Sequence, residues 1–259
     1  MLQDLFYELD ATFVAQIATF VGGLISILTY LCPKISASIW GIKVKSQVAV
    51  WIVERIGFFD TLMVLLFRLI FFHDIHYSDA FGIIFTIWTV DYLYSLLCFR
   101  FIQDSNSVMF KQMLWTNFGA AASISILYIF HSFWTDVLVK IVLICCISTG
   151  LFQVFLPTFG LYQSGFPSDQ KGGCNEALIR ILGGCLIQLG TFGLLVINGF
   201  KARNSLGLAM AMQLAQMCFS RYTASDEELK SGLSTTAATV WFLFYIKTIV
   251  PIWIYAGYD

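Results

Sequence analysis

Long apolar runs alternate with short polar breaks along the whole chain. The runs lie at about 12–32, 49–72, 80–101, 110–133, 137–160, 177–199, 204–220 and 236–257. A helix needs roughly 20 mostly apolar residues to cross a bilayer, and most of these runs have that length. The seventh, SLGLAMAMQLAQMCF, is short and carries two Gln. The runs are continuously apolar, unlike the short alternating segments of a spanning barrel. Backbone exposed to lipid must satisfy its own hydrogen bonds, so each run is expected to be helical. The expectation is an all-α, polytopic membrane helical bundle of about eight transmembrane helices.

The pattern of the first half recurs in the second. Pro33 ends a helix before a polar loop, and so does Pro157. Arg55-Ile56 opens the next helix in one half and Arg180-Ile181 in the other. Further on, Phe99-Arg100 and Ser220-Arg221 close matching helices, and Trp115 and Trp241 mark matching final ones. The offset is about 124 throughout, as between Pro33 and Pro157. We read residues 1–135 and 136–259 as two tandem four-helix repeats within one membrane domain. An even number of spans gives both copies one orientation. The competing explanation is the similar hydropathy of all small bundles.

Composition strengthens the membrane reading. The 259 residues are 58% hydrophobic and 12% charged, against about 25% charged in soluble domains. The expected partners are the lipid bilayer, a hydrophobic small-molecule substrate and partner membrane enzymes. A net charge of −1 excludes a nucleic-acid binder driven by phosphate attraction. The acidic start MLQDLFYELD resembles neither a secretory signal nor a transit peptide, so the first run is expected to stay as a signal-anchor. Lys34, Lys43 and Lys45 in the first loop, with Arg100 and Lys111 in the third, place those loops in the cytosol. Lys201 and Arg203 argue mildly the other way. The expected location is a multi-pass membrane protein, in the endoplasmic reticulum if eukaryotic.

Charge buried in hydrocarbon costs roughly 2.5–3.5 kcal/mol per group and needs a partner or a wet cavity. Asp60, Asp91 and Lys247 fall at the centres of the second, third and eighth runs, and Gln188 and Gln213 near the centres of the sixth and seventh. Five polar groups at one level predict a shared polar chamber. Trp88, Tyr92 and Ser95 share roughly the face of Asp91. Glu54 lies behind, toward a membrane end, where it pairs with an Arg or supports the acids. Arg55 and Arg180 occupy matching places near that end and read as residues reaching for headgroups. Lys247 with Asp60 or Asp91 also reads as a buried ion pair that fixes helix order.

Burial disfavours the charged form of a carboxyl, and a neutral carboxylic acid is a competent general acid. Phe58, Phe59, Trp88, Tyr92 and Tyr94 lie near the acids, and aromatic faces stabilise cations. Acid, aromatic wall and excluded water suit protonation of an epoxide or alkene, followed by cyclisation or hydrolysis. The candidate catalytic residues are Asp60, Asp91 and Glu54. Trp88, Tyr92, Gln188, Gln213 and Lys247 are the candidate pocket. No cofactor and no metal is expected.

The four-span unit, with Pro157, Arg180, Ile181, Gly183 and Gly184 in its second copy, resembles DoxX-like four-helix modules. The doubled form resembles the small integral-membrane terpene cyclases and epoxide hydrolases of fungal natural-product clusters, by architecture over most of the chain. That resemblance implies acid-initiated ring closure or epoxide opening on an isoprenoid or polyketide, with Asp60 and Asp91 in the acid role. Two other classes stay open: a non-catalytic subunit of a membrane complex, and a small-molecule transporter, for which midplane charges and a repeat are equally natural.

Other signals read blandly. The seven Cys are odd in number and form no CxxC, so they read as small buried hydrophobes. His73-Asp74-Ile75-His76 reads as a polar loop, and His131 stands alone on the fourth run. Gly22-Gly23 and Gly183-Gly184 suit close helix packing. Asp226 to Lys230 (DEELK) reads as a solvated face or a helix cap.

Overall fold

The computed structural model describes residues 11–44, 46–98, 108–164, 166 and 173–231. These form helices, with no strand among them. In chain order they are α1 (Ala11–Leu31), α2 (Pro33–Ile39), α3 (Gln47–Phe71), α4 (Tyr77–Cys98), α5 (Val108–Ile129), α6 (Trp134–Phe155), α7 (Pro157–Gln163), α8 (Gly173–Ile197), α9 (Ala202–Tyr222) and α10 (Asp226–Leu229). The expected run at 236–257, with Lys247, lies outside the described residues.

Over their described residues the seven apolar runs before 236–257 are helical, and the stretches that begin at Pro33 and Pro157 form short helices of their own. Pro33 and Pro157 each start a seven-residue helix at its first turn, where a missing N–H costs nothing. Proline also pushes the residue before it out of the helical region. Cys32 (φ −129°, ψ 57°) and Leu156 (φ −130°, ψ 65°) take nearly the same break conformation. The expected single run 137–160 is therefore two helices, α6 and α7. Where a polar loop was expected after Pro33, α2 turns back on α1 at an angle of 120°. Both short helices end alike, with Ile42 N–H donating to Ala37 O and Phe166 N–H donating to Leu161 O. The helices that follow, α3 and α8, are 25 residues each.

The two long helices α3 and α8 form the centre. α8 packs on α6, α9 and α3, and α1 covers the other side of α3. The α6–α8 approach depends on missing side chains. A Cβ on Gly150 would sit 2.5 Å from Gly183 O, and one on Gly190 would sit 2.7 Å from Leu143 O. Small residues of this kind let helix backbones touch.

The outer faces are apolar. On α1, Phe13, Ile17, Phe20, Leu24, Leu28 and Leu31 are exposed at three- and four-residue spacing, and α6 exposes Ile141, Ile144, Leu151 and Phe155. Contiguous exposed apolar faces of this size mark a membrane or partner surface. Among the described residues three helices are long and apolar enough to cross a membrane: Tyr77–Leu97, Trp134–Phe155 and Gly173–Ile197. The bent pair Thr19–Leu31 and Pro33–Ile39 makes a fourth if it counts as one span. α3 carries Glu54, Arg55, Asp60 and Arg68, and its first half is buried almost continuously, from Val48 to Phe59.

Candidate functional site

Two acids of α3 and one of α4 end up in different surroundings. Arg55 is fully buried, at 1% exposure. Its guanidinium forms an ion pair with Asp91 from α4 through Nη1, and its Nη2 reaches Glu54 Oε1 at 2.6 Å. Tyr30 of α1 donates its hydroxyl to Asp91 Oδ1 at 2.5 Å. The rings of Tyr30, Trp51, Phe58 and Tyr92 stand 5.2 to 5.9 Å from the guanidinium carbon. Trp51 and Phe58 lie four residues before and three after Arg55, one helical turn to either side, so α3 itself supplies two walls. Gly57 makes room for the third, since a Cβ there would collide with the α1 backbone at Thr29 and Tyr30.

The aromatic walls therefore surround the chain's own cation. Cation–π contacts and two carboxylates offset the desolvation of one guanidinium. Asp91 and Glu54 are carboxylates engaged with Arg55. Arg55 is not a headgroup-seeking residue at a membrane end. The α1–α2 elbow and the ring contacts of Trp51 with Phe110 and Phe166 bury the first turns of α3. Arg180 is likewise buried rather than headgroup-seeking. Its Nε donates to Glu228 Oε1 at 2.7 Å, and its Nη1 donates to Val154 O and to Thr223 Oγ1. Glu228 also closes a capping box with Ser225. The DEELK stretch is thus a helix cap, but its Glu228 is buried in an ion pair.

Asp60 is different. It sits five residues beyond Arg55 on α3, and its hydrogen-bond partner among the described residues is the Cys185 thiol of α8, at 3.4 Å. On its other side it lines a cavity of about 290 Å³ under the α1–α2 elbow. Ile25, Leu28, Ile35, Ile39 and Trp40 make most of that wall, with Ser26, Thr29 and Ser36 between them. Ile35 and Ile39 are 63% and 70% exposed, so the cavity opens beside an apolar outer face.

The single polar chamber expected from depth alone is not what the described residues form. Asp60 lines the cavity and Asp91 does not. Trp88 is stacked on Phe85 at 5.3 Å and meets Phe59 edge-on, which makes it core. Tyr92 belongs to the Arg55 box. Gln188 is buried on α8 and Gln213 on α9, and neither lines the cavity. Lys247 lies outside the described residues. Two residues that complete the clusters were not singled out from sequence: Tyr30, and Glu228 as a buried partner. The adjacent Glu54-Arg55 between two aromatic residues was the available signal for the first cluster.

Of the cysteines described, Cys146 and Cys185 are buried, while Cys32, Cys145 and Cys218 are exposed, so burial holds for only part of the set. His131 lies in the turn between α5 and α6 with φ 50°, not within a span. His76 Nδ1 accepts from the Ser78 N–H at the α3–α4 turn. Among the described residues no three His, Cys, Asp or Glu side chains cluster as a metal centre requires. Compared with models of known protein families, with curated proteins and with solved structures, the chain matches none.

Proposed function

We propose that this is a membrane-embedded, acid–base catalysed enzyme that cyclises or opens an epoxide on a lipid-soluble isoprenoid or polyketide, with Asp60 as the acid. The observation that carries this reading is the placement of one carboxyl, without a cationic partner among the described residues, on the wall of an apolar cavity. The cavity lies at the small end of the roughly 300–1,000 Å³ typical of ligand sites. In the proposed step the Asp60 carboxyl gives its proton to the epoxide oxygen as the C–O bond breaks. The carbocation is then captured by a substrate double bond, closing a ring, or by water, giving a diol. The conjugate carboxylate recovers a proton from the captured product. Asp91, Glu54 and Arg55 act as positioning residues that fix α1, α3 and α4 around the cavity.

The same proposal includes eight spans arranged as two tandem four-helix repeats, 1–135 and 136–259. Its support is the helix-by-helix match of α1–α4 with α6–α9, including the shared break and cap geometry of α2 and α7. Substrate would enter from lipid, past Ile35 and Ile39. The test is to express the full chain in microsomes and supply a panel of epoxidised isoprenoids. Wild type is expected to convert at least one substrate, and Asp60→Asn to leave it unconverted at equal protein level. Equal conversion by both would overturn the assignment.

A second reading has an observation of its own. Arg55 and Arg180 are both paired with carboxylates, and the outer faces expose much aromatic surface, as a subunit of a membrane complex would. In that case Asp60→Asn would leave the phenotype unchanged, and substitutions on the exposed apolar faces would not.

A further inference from the structure

A second cavity, of about 450 Å³, lies where the N-terminal turns of α3 and α8 converge. Lys43, Lys230, Ser46, Ser231, Asn175 and Gly173 are on its wall, and among the described residues no acidic residue is. The first turns of two 25-residue helices open on it. The leading N–H groups of a helix have no partner within it and carry about half a positive charge together. The two lysines add full charges to the same space.

Each part is held in place by a separate device. Ser46 caps α3 through the Ala49 N–H and donates to Asn175 Oδ1 of α8 at 3.2 Å, joining the two helix starts. Asn175 is more than nine-tenths buried. Gly41, with φ 75°, turns the chain so that Lys43 follows. Lys230 is delivered by α10, which the Arg180–Glu228 ion pair anchors on α8. The chain at Glu227 and Glu228 also lies directly on Gly173, where a Cβ would fall 2.6 Å from Glu227 Cβ. Two of the nearby carboxylates are occupied: Glu228 holds Arg180, and Glu176 accepts from Thr158 Oγ1 at 2.7 Å. Asp226 and Glu227 stand in the first turn of α10, outside the wall.

We propose that this cavity binds a phosphate-bearing anion, held by Lys43, Lys230 and the N-terminal N–H groups of α3 and α8. Lysine at a helix N-terminus is a recurrent phosphate-binding arrangement, and here two such ends meet. The site is independent of Asp60 and is read by binding rather than turnover. The chemistry is shared by a free phosphate compound and by a phospholipid headgroup, and two probes distinguish them.

The full chain, purified in detergent, is titrated with pyrophosphate by calorimetry. In parallel it is examined by native mass spectrometry with dioleoyl phosphatidic acid, against phosphatidylcholine as the zwitterionic control. Lys43→Ala/Lys230→Ala is expected to weaken binding by at least about tenfold, and Lys43→Arg/Lys230→Arg to retain most of it. Both lysines are exposed, so the thermal transition should stay within a few degrees of wild type. Binding of pyrophosphate assigns the site to a free phosphate compound, and binding of phosphatidic acid alone assigns it to a headgroup. Binding of neither probe to wild type overturns the proposal, as does binding that the double alanine variant leaves unchanged.

Discussion

Asp91→Asn perturbs the buried ion-pair cluster around Arg55. The substitution keeps the shape of the side chain and an oxygen for the Tyr30 hydroxyl. It removes one of the two negative charges that face a fully buried guanidinium. Among the described residues Arg55 then retains Glu54 alone, and its Nε has no hydrogen-bond partner there. Breaking a buried ion pair from one side costs about 3–5 kcal/mol, because the other charge stays buried. With Glu54 remaining, the low end applies, about 3 kcal/mol. At about 2–4 °C per kcal/mol for a chain near this size, the thermal midpoint should fall by about 6–12 °C. The assay is thermal unfolding of the full chain in one detergent. A control separates charge from packing: Glu54→Gln/Arg55→Met/Asp91→Asn removes all three charges at similar volume. Replacing a buried ion pair by well-packed neutral groups is often close to neutral, so this triple variant should recover most of the loss. An Asp91→Asn midpoint equal to wild type, or a triple variant as unstable as the single one, would refute the reasoning.

Three further outcomes are expected. Gly150→Ala places a methyl against Gly183 O, and the α6–α8 separation must grow. The expected loss is about 1–3 kcal/mol, seen as a lower unfolding midpoint, whereas Gly119→Ala, in open space, should be neutral or better. Arg180→Met leaves Glu228 buried without its cation, so α10 should detach and trypsin should cut at Lys230 faster than in wild type. Cys174 lies half-buried beside Lys43 at the polar end of the bundle and should react with a maleimide in the folded protein. Cys185, buried against Asp60, should react only on unfolding, and equal rates for the two would contradict the described packing.

Most of the fold could be read because each long helix coincides with an apolar run that a bilayer would select. The short helices α2 and α7 could not be read that way. PKISASI and PTFGLYQ are too short to show a period, and their one signal, Pro at the first helical position, marks the end of one helix as well as the start of the next. For the site, distance along a helix gave depth but not surroundings. Arg55 lies only eight residues into α3 and looked peripheral. The elbow of α1 and α2, with Phe110 and Phe166, closes over that end and makes it interior. Asp60 and Asp91 looked equivalent by depth. The neighbours that separate them, Tyr30 and Arg55 for one and the elbow cavity for the other, come from other parts of the chain.

The division of labour between these two acids is the central claim, and turnover per folded molecule tests it directly. Asp60→Asn and Asp91→Asn are to be assayed side by side on a substrate that wild type converts, with each rate normalised to correctly folded protein. We predict that Asp60→Asn loses about 10²–10⁴-fold, the range for removal of a general acid, with its folded yield intact. Asp91→Asn should lose folded yield instead and keep a near wild-type rate per folded molecule. The reverse pattern, with Asp60→Asn active and Asp91→Asn folded but inactive, would place the acid chemistry at Asp91 and contradict the assignment.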